Sequence, residues 1–374
     1  MSPLNILHVL RAPVGGLFRH VVDLAREQAA RGHRVGMIAD SSTGNARSGK
    51  ILSELLPSLA LGLTRVPMRR QPGPGDAVVL AHVMRRMAQA KADVVHGHGA
   101  KGGAFARLAF KGRGAVRAYT PHGGSLLFEN NTLAGKIYLT TEKLLMPRGD
   151  LSLFESGFAA ETFERKIGKP RGLVRIVHNG VTPAEFEPIA TSPDASDLLF
   201  MGEMRMLKGI DVLIDAIASL RRDGREVTAT LVGDGAEGKT FHAQVERLNL
   251  GSVIRFRSAM PARAAQALGR IMVVPSRLES LPYVVLETAA AGKPLVATRV
   301  GGIPEIFGPL ADDLVPPDDA PALAKAILRV LDRPDWAAGA ADTLRGRVAT
   351  SFSLQSMTDG VLAGYRDALK TIGK

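Results

Sequence analysis

Two glutamates, Glu279 and Glu287, stand with seven residues between them in a stretch that reads strand, loop, helix, strand. Residues 271–274 are an apolar run, which predicts a buried strand, and Pro275-Ser276 ends it. Glu279 follows in a loop. Ser280 and Pro282 are helix-start residues, because serine caps free N–H groups and proline suits the first turn. The predicted helix, 283–291, stops at Gly292, and a strand over 294–298 leads to Gly301-Gly302. One carboxylate therefore precedes a helix N-terminus and the other lies along the helix. Unpaired N–H groups and partial positive charge at such a terminus suit a phosphate. Carboxylates accept hydrogen bonds from hydroxyls. A ligand with hydroxyls at both ends and phosphate between them, such as a nucleotide-sugar, has this layout. The blander reading is two glutamates solvated at the rim of a buried β-α-β unit. The spacing alone recurs by chance, but the Leu-Pro helix start and the Ala-Gly-Lys-Pro turn in register favour a ligand.

A second loop, 202–209, carries Arg205 and Lys208 ahead of a predicted helix over 210–221. Cations at a helix start oppose its dipole, so an anion such as a diphosphate should compensate them. The order of glycines and lysine is not that of a phosphate-binding P-loop. Gly233 to Gly238 matches G-x-G-x-x-G, but the acidic residue expected about 20 positions on is missing. In the first half, Gly15-Gly16 follows the first strand, where backbone N–H groups can approach an anion. His98 and Lys101 follow a strand over 93–98 and would face an anionic acceptor. His122 follows a strand over 116–120, at a strand C-terminus where open α/β sheets bind ligands. His96 and His98 raise the question of a metal, but no third ligand stands near them in sequence, so no metal site is expected.

Strands and helices alternate through both halves, which predicts an α/β protein of two Rossmann-like doubly wound domains. Residues 44–75 read as an irregular loop. Residues 182–197, rich in Pro, Ala and Asp without periodicity, read as the linker. The expected domains are 1–184, Rossmann-like and on the acceptor side, and 185–355, Rossmann-like and nucleotide-sugar-binding. A C-terminal helix within 356–374 is expected to return to the first domain.

The chain has 374 residues, 45% hydrophobic and 22% charged, with no cysteine, so disulfides and thiolate metal sites are excluded. The start, MSPLNILHVLRAP, reads as a first buried strand rather than a signal peptide, and no uncharged apolar run is long enough to span a bilayer. Net charge is +12, and residues 1–190 carry all of it, with 26 Lys+Arg against 14 Asp+Glu. A basic half suits a phosphorylated acceptor, an anionic membrane face or nucleic acid. Aromatic residues are only 5% and no nucleic-acid-binding spacing is present, so nucleic acid is not expected.

Glu279, seven residues, Glu287 and then AAAGKPLVATRVGGIPE together resemble the signature of family 4 retaining glycosyltransferases of GT-B fold, of the bacterial polysaccharide-biosynthesis type. The resemblance implies two Rossmann-like domains facing a central cleft. It implies retaining transfer of a hexose from a UDP- or GDP-sugar to a hydroxyl of a glycan or polyprenyl-diphosphate-linked acceptor, with no metal and no cofactor. Glu279 would bind the donor sugar and Glu287 the ribose. Arg205 and Lys208 would offset the diphosphate, although Glu203 stands where the family commonly has arginine. His122 would reach the donor sugar. Gly15, Gly16, Gly233, Ser280 and the backbone of Leu281, Tyr283 and Val284 would line the donor site. The implied location is the cytoplasm, peripheral to an anionic membrane through the basic half. A nucleotide-sugar epimerase of the same architecture and a basic anion- or nucleic-acid-binding protein are the alternatives.

Overall fold

The computed structural model describes residues 2–109 and 114–373. The chain forms two compact units: Met1–Gly180 with Leu354–Lys374, and Val181–Ser353.

The first unit is built on a parallel sheet of β1 (Asn5–Leu10), β2 (Arg34–Asp40), β3 (Gly62–Val66), β4 (Val94–His98), β5 (Val116–Thr120), β6 (Leu151–Phe154) and β7 (Leu173–Ile176), in the order β3-β2-β1-β4-β5-β6-β7. Helices cover both faces of such a sheet, which is why β1 and β4 are buried almost end to end. Strand order reverses between β1 and β4, so the loops leaving their C-terminal ends diverge and open a crevice. The Gly15–Ala30 helix leaves β1 there, and the Gly99–Leu108 helix leaves β4. That second helix lies directly on the sheet: a Cβ on Gly103 would stand 2.2 Å from the Tyr119 ring. Arg107, one turn on, covers the same ring at 3.9 Å and pairs with the buried Glu142 at 2.8 Å. The Leu354–Thr371 helix packs on the Gly15–Ala30 helix and on β5, β6 and β7, so the C-terminal segment belongs to this unit.

The second unit holds β8 (Ser196–Met201), β9 (Ala229–Val232), β10 (Ile254–Arg257), β11 (Gly269–Val274) and β12 (Leu295–Ala297), all parallel, in the order β10-β9-β8-β11-β12. The order reverses between β8 and β11. The Ile210–Arg222 helix after β8 buries Ile210, Leu213, Ile214, Ile217 and Leu220, one apolar stripe at helical spacing.

Two stretches differ from their reading in the sequence. Residues 44–75 are not a plain loop: they contain the Ala46–Leu55 helix and β3. Asn45 and Ser48 form a reciprocal capping box that starts the helix, and β3 pairs with β2 along its full length. Residues 182–197 are not a free connector. Thr182 and Glu185 cap each other, the Arg263 guanidinium donates to the carbonyls of Ala184 (2.7 Å), Glu187 and Pro188 (both 3.2 Å), and Arg345 donates to that of Phe186 (2.8 Å). Composition looked like a linker because the residues that bind the stretch lie far along the chain.

Candidate active site

In the second unit the loops after β8 and β11 flank the order reversal, and they carry Lys208 and Glu279. Lys208 Nζ donates to Glu279 Oε1 at 2.6 Å, and Ser276 Oγ donates to the same oxygen at 2.7 Å. The lysine side chain is 25% exposed and the glutamate 10%, so the pair touches solvent without lying free in it. Close backbone approach brings these loops together. Gly209, at φ +66°, sits where a Cβ would be 1.9 Å from the Pro275 carbonyl oxygen, which only glycine permits. Arg277 braces the assembly: it binds Asp211 through two bonds of 2.8 and 2.7 Å and Asp318 at 2.5 Å, and it donates to the Met206 carbonyl. Those two carboxylates push its pKa up, the bond to Asp211 most strongly.

Arg205 is half exposed and only 3.7 Å from Glu203, a loose surface pair that leaves the guanidinium able to turn. Gly233 donates its N–H to the Arg257 carbonyl at the β9–β10 edge, beside the loop after β8. Ser280, Leu281, Tyr283 and Val284 form the entry to the Tyr283–Ala290 helix, whose N-cap is Pro282. Glu287, one turn in, is 9% exposed and lines a small cavity with Glu185, Arg263 and Gln266. Lys293 in the Ala-Gly-Lys-Pro turn is structural, buried with its ammonium on the Gly269 carbonyl at 2.5 Å.

The first unit gathers histidines instead. His8 on β1 is paired in register with His96 on β4, and His98 lies two residues on, on the same face. His20 from the first helix and His122 beyond β5 join them. His8 Nδ1 meets His98 Nε2 at 2.9 Å, and His98 Nδ1 meets His122 Nε2 at 3.0 Å. His8 Nε2 bonds Gln28 Oε1 at 2.8 Å, and His20 Nδ1 bonds Asn179 Oδ1 at 3.0 Å. His96 bonds Tyr365 and Thr120. Burial lowers His8 and His20 to about 4 and His96, His98 and His122 well below 6.5, so these rings are neutral near pH 7. His122 adopts φ +51°, an uncommon backbone for a side chain of its size.

This corrects the view of His96 and His98 as an isolated pair. The trios His8, His96, His98 and His20, His98, His122 each bring three ligand atoms within 4.8 Å of one another. Their facing nitrogens are largely spent on each other, and His98 has both engaged, so it has no free nitrogen for an acceptor.

Beside the cluster lies a cavity of about 630 Å³ lined by Leu17, Leu80, Phe105, Leu108, Tyr138 and Leu144, with His98 in its wall and Arg11, Arg70, Lys101 and Arg148 among its lining residues. Lys101 does not stand free to meet an anion: its ammonium binds Asp76 at 2.6 Å and the Gln71 carbonyl at 3.1 Å. Gly15 and Gly16 are exposed in the first turn after β1.

The comparisons with known proteins agree across both units. Residues 14–185 match the model described as Glycosyltransferase Family 4, and residues 195–333 match the one described as Glycosyl transferases group 1. The chain belongs to the family 4 glycosyltransferases. It is similar to a D-inositol 3-phosphate glycosyltransferase from Nocardioides sp., 27% identical over 381 residues, covering 88% of this chain and 81% of that one. Among solved structures it resembles sucrose-phosphate synthase from Thermosynechococcus elongatus, with TM-score 0.81, 22% identity and coverage of 98% and 99%. It also resembles Anabaena Alr3699/HepE in complex with UDP-glucose, with TM-score 0.80, 19% identity and coverage of 97% and 99%. These two likenesses establish the GT-B fold.

For a glycosyltransferase of this family, several side chains at the two crevices escaped sequence reading. Ser276 follows the strand-ending proline and reads in the sequence only as a strand stop. Arg277 and Asp211 lie far apart in sequence and meet through the fold. His8 and His20 carry no local motif, although eight of the nine histidines lie in residues 1–190. The alternation of His8 along β1, set beside His96 and His98 on β4, was the available signal.

Proposed function

We propose that this glycosyltransferase moves a hexosyl group, with retention, from a UDP- or GDP-sugar to a hydroxyl of a glycan or polyprenyl-diphosphate-linked acceptor, without an obligatory metal. The observation that carries the donor assignment is the Lys208–Glu279–Ser276 constellation at the order reversal of the second sheet. Lys208 and Arg205 offset the charge of the leaving diphosphate. Glu279 accepts a hydrogen bond from a sugar hydroxyl, and Glu287 accepts from the ribose. Backbone N–H groups at the start of the Tyr283–Ala290 helix add positive potential towards phosphate.

In the retaining step the bond from the anomeric carbon to the phosphate oxygen breaks, and the bond to the acceptor oxygen forms on the same face. The acceptor proton passes to the departing phosphate oxygen. Catalysis then rests on stabilising the developing charge and orienting the sugar, which suits fixed cations and carboxylates.

The acceptor reading is supported by the first unit. A cavity of about 630 Å³ lies within the ordinary range for small-molecule sites, and its apolar lining with Arg11, Arg70 and Arg148 among its residues suits an apolar chain joined to phosphate. His122, by contrast, accepts a hydrogen bond from a hydroxyl of the donor sugar. Among the described residues no helix is long and apolar enough to cross a membrane. We place the enzyme at the cytoplasmic face of an anionic membrane, in bacterial polysaccharide assembly, held there through its basic first half. Thermal stabilisation by a panel of nucleotides and nucleotide-sugars tests the donor site. A shift with UDP or GDP that shrinks in Glu287→Ala supports it, and no shift with any nucleotide rejects it.

A further inference from the structure

The hydrogen-bond chain through the histidine cluster has a direction. A neutral imidazole carries one N–H, and the other nitrogen only accepts. Gln28 presents Oε1 to His8 and leaves its own Nε2 buried without a partner among the described residues. With Oε1 in that place, which only accepts, His8 carries its proton on Nε2 and its Nδ1 is bare. The 2.9 Å contact to His8 Nδ1 therefore takes its proton from His98 Nε2, which leaves His98 Nδ1 bare. The 3.0 Å contact to His98 Nδ1 in turn takes its proton from His122 Nε2. His122 Nδ1 is left bare, and the three rings share the Nε2–H form. His20 is the opposite: it gives its Nδ1 proton to Asn179 Oδ1, and its Nε2 is buried with no partner among the described residues. Its ring stands edge-on to His122, with centroids 4.6 Å apart.

We propose that Gln28, His8 and His98 are positioning residues that fix His122 as the Nε2–H tautomer, so that the cluster offers a ligand two bare nitrogens, His122 Nδ1 and His20 Nε2, and takes hydroxyl donors there rather than anions. The sugar assignment rests on the transferase reading above, whereas the tautomers do not. The cluster is more than packing, because its one unpaired buried lone pair and its one partly exposed ring stand together. A cation on His20, His98 and His122 is the competing arrangement. It would need His122 Nε2 and His98 Nδ1 both bare, and so would break the last link.

Long-range proton–nitrogen spectra of the full chain, labelled with ¹⁵N-histidine, read each tautomer directly. Nε2–H is expected for His8, His98 and His122, and Nδ1–H for His20. An Nδ1–H form of His122, or zinc bound in stoichiometric amount in the purified protein, overturns the proposal. Gln28→Glu supplies the sharper arm. A carboxylate there stabilises a doubly protonated His8, whose Nδ1–H then donates to His98 and reverses every link. His122 is expected to switch to Nδ1–H, with kcat falling roughly tenfold or more and KM for nucleotide-sugar little changed. A variant whose His122 tautomer does not move overturns the relay. Should Gln28→Glu not fold, the wild-type tautomers alone decide the matter. UDP-glucose is expected to shift the His122 and His20 nitrogens while inorganic phosphate does not, and phosphate shifting them overturns the hydroxyl preference. Failure of UDP-glucose to bind anywhere, with the expected tautomers present, counts against the transferase reading and leaves the relay standing.

Discussion

The two units use one topology for opposite electrostatics. Each sheet reverses its strand order once, between β1 and β4 in the first and between β8 and β11 in the second. In the first, the polar residues lie on the strands themselves: His8, His96 and His98 are fully buried and held neutral. In the second, the facing strands end in Met201 and Val274, and the polar groups lie beyond them on loops, as the charged pair Lys208 and Glu279. A strand interior in a two-sided sheet cannot hold free charge, so its polar groups must be neutral and satisfy one another. A loop at the crevice keeps its charge because water reaches it. The first crevice is thus suited to recognition by direction of hydrogen bonds, and the second to neutralising an anion.

The two ion pairs offer the strongest way to break this comparison. Arg107–Glu142 lies under the first crevice and is 2–3% exposed, with Tyr119 and Ser125 also donating to Glu142 at 2.7 and 2.8 Å. Glu142→Ala strands a buried guanidinium, and a loss of about 3–5 kcal/mol is expected in denaturant unfolding. Lys208→Ala should behave in the reverse manner. Its partly exposed pair contributes about 1 kcal/mol of stability or less. Transfer, however, should slow roughly 100- to 1,000-fold through lost stabilisation of the leaving group. Steady-state turnover and urea unfolding of both variants check this. Equal loss of stability would mean that the second pair is scaffold like the first.

Acid should separate the units as well. His8 and His20 titrate at about 4 in the folded chain because burial disfavours their charged form, against 6.5 when unfolded. The unfolded chain therefore binds more protons between these values. Stability is fully present above pH 6.5 and falls as pH drops towards 4, by about 1.4 kcal/mol per pH unit for each ring. No buried histidine is found among the described residues of the second unit. Hydrogen exchange at pH 7 and pH 5 should show protection lost first in β1 and β4. Uniform loss in both sheets would contradict the assignment.

The same contrast explains what could be read from sequence. The second crevice is written in two continuous loops, 202–209 and 275–282, so Arg205, Lys208, Ser280 and Glu279 announce themselves by local spacing. The first is written across strands whose register no linear pattern reveals. His8 and His96 stand side by side only because β1 pairs with β4, and Gln28 reaches them from the far end of a helix. Alternating strands and helices made the doubly wound fold legible. The capping box at Asn45 was present in the sequence but was hidden between Gly44 and Gly49, and the arginines that bind residues 182–188 came from distant helices.

The smallest expected effect concerns the surface. Apart from Met206, the exposed large apolar side chains among the described residues all lie in the first unit, and several sit on or near the cavity mouth. Leu144 is the clearest, 67% exposed and part of the cavity lining, on a helix whose exposed face also carries Leu133, Ile137, Lys136 and Lys143. Leu144→Asp removes little packing, so stability should change by about 0.5 kcal/mol or less. On the proposed acceptor reading it places a carboxylate at the mouth through which an apolar chain would enter, so KM for a polyprenyl-linked acceptor should rise several-fold, with kcat and nucleotide-sugar KM unchanged. Binding to anionic vesicles should weaken in parallel, because both the apolar face and the positive potential are reduced. A water-soluble glycan acceptor is the control. If its KM rises as much as that of the lipid-linked one, the residue acts on the glycan and not on a chain in the cavity, and the apolar lining of the first crevice loses its assigned role.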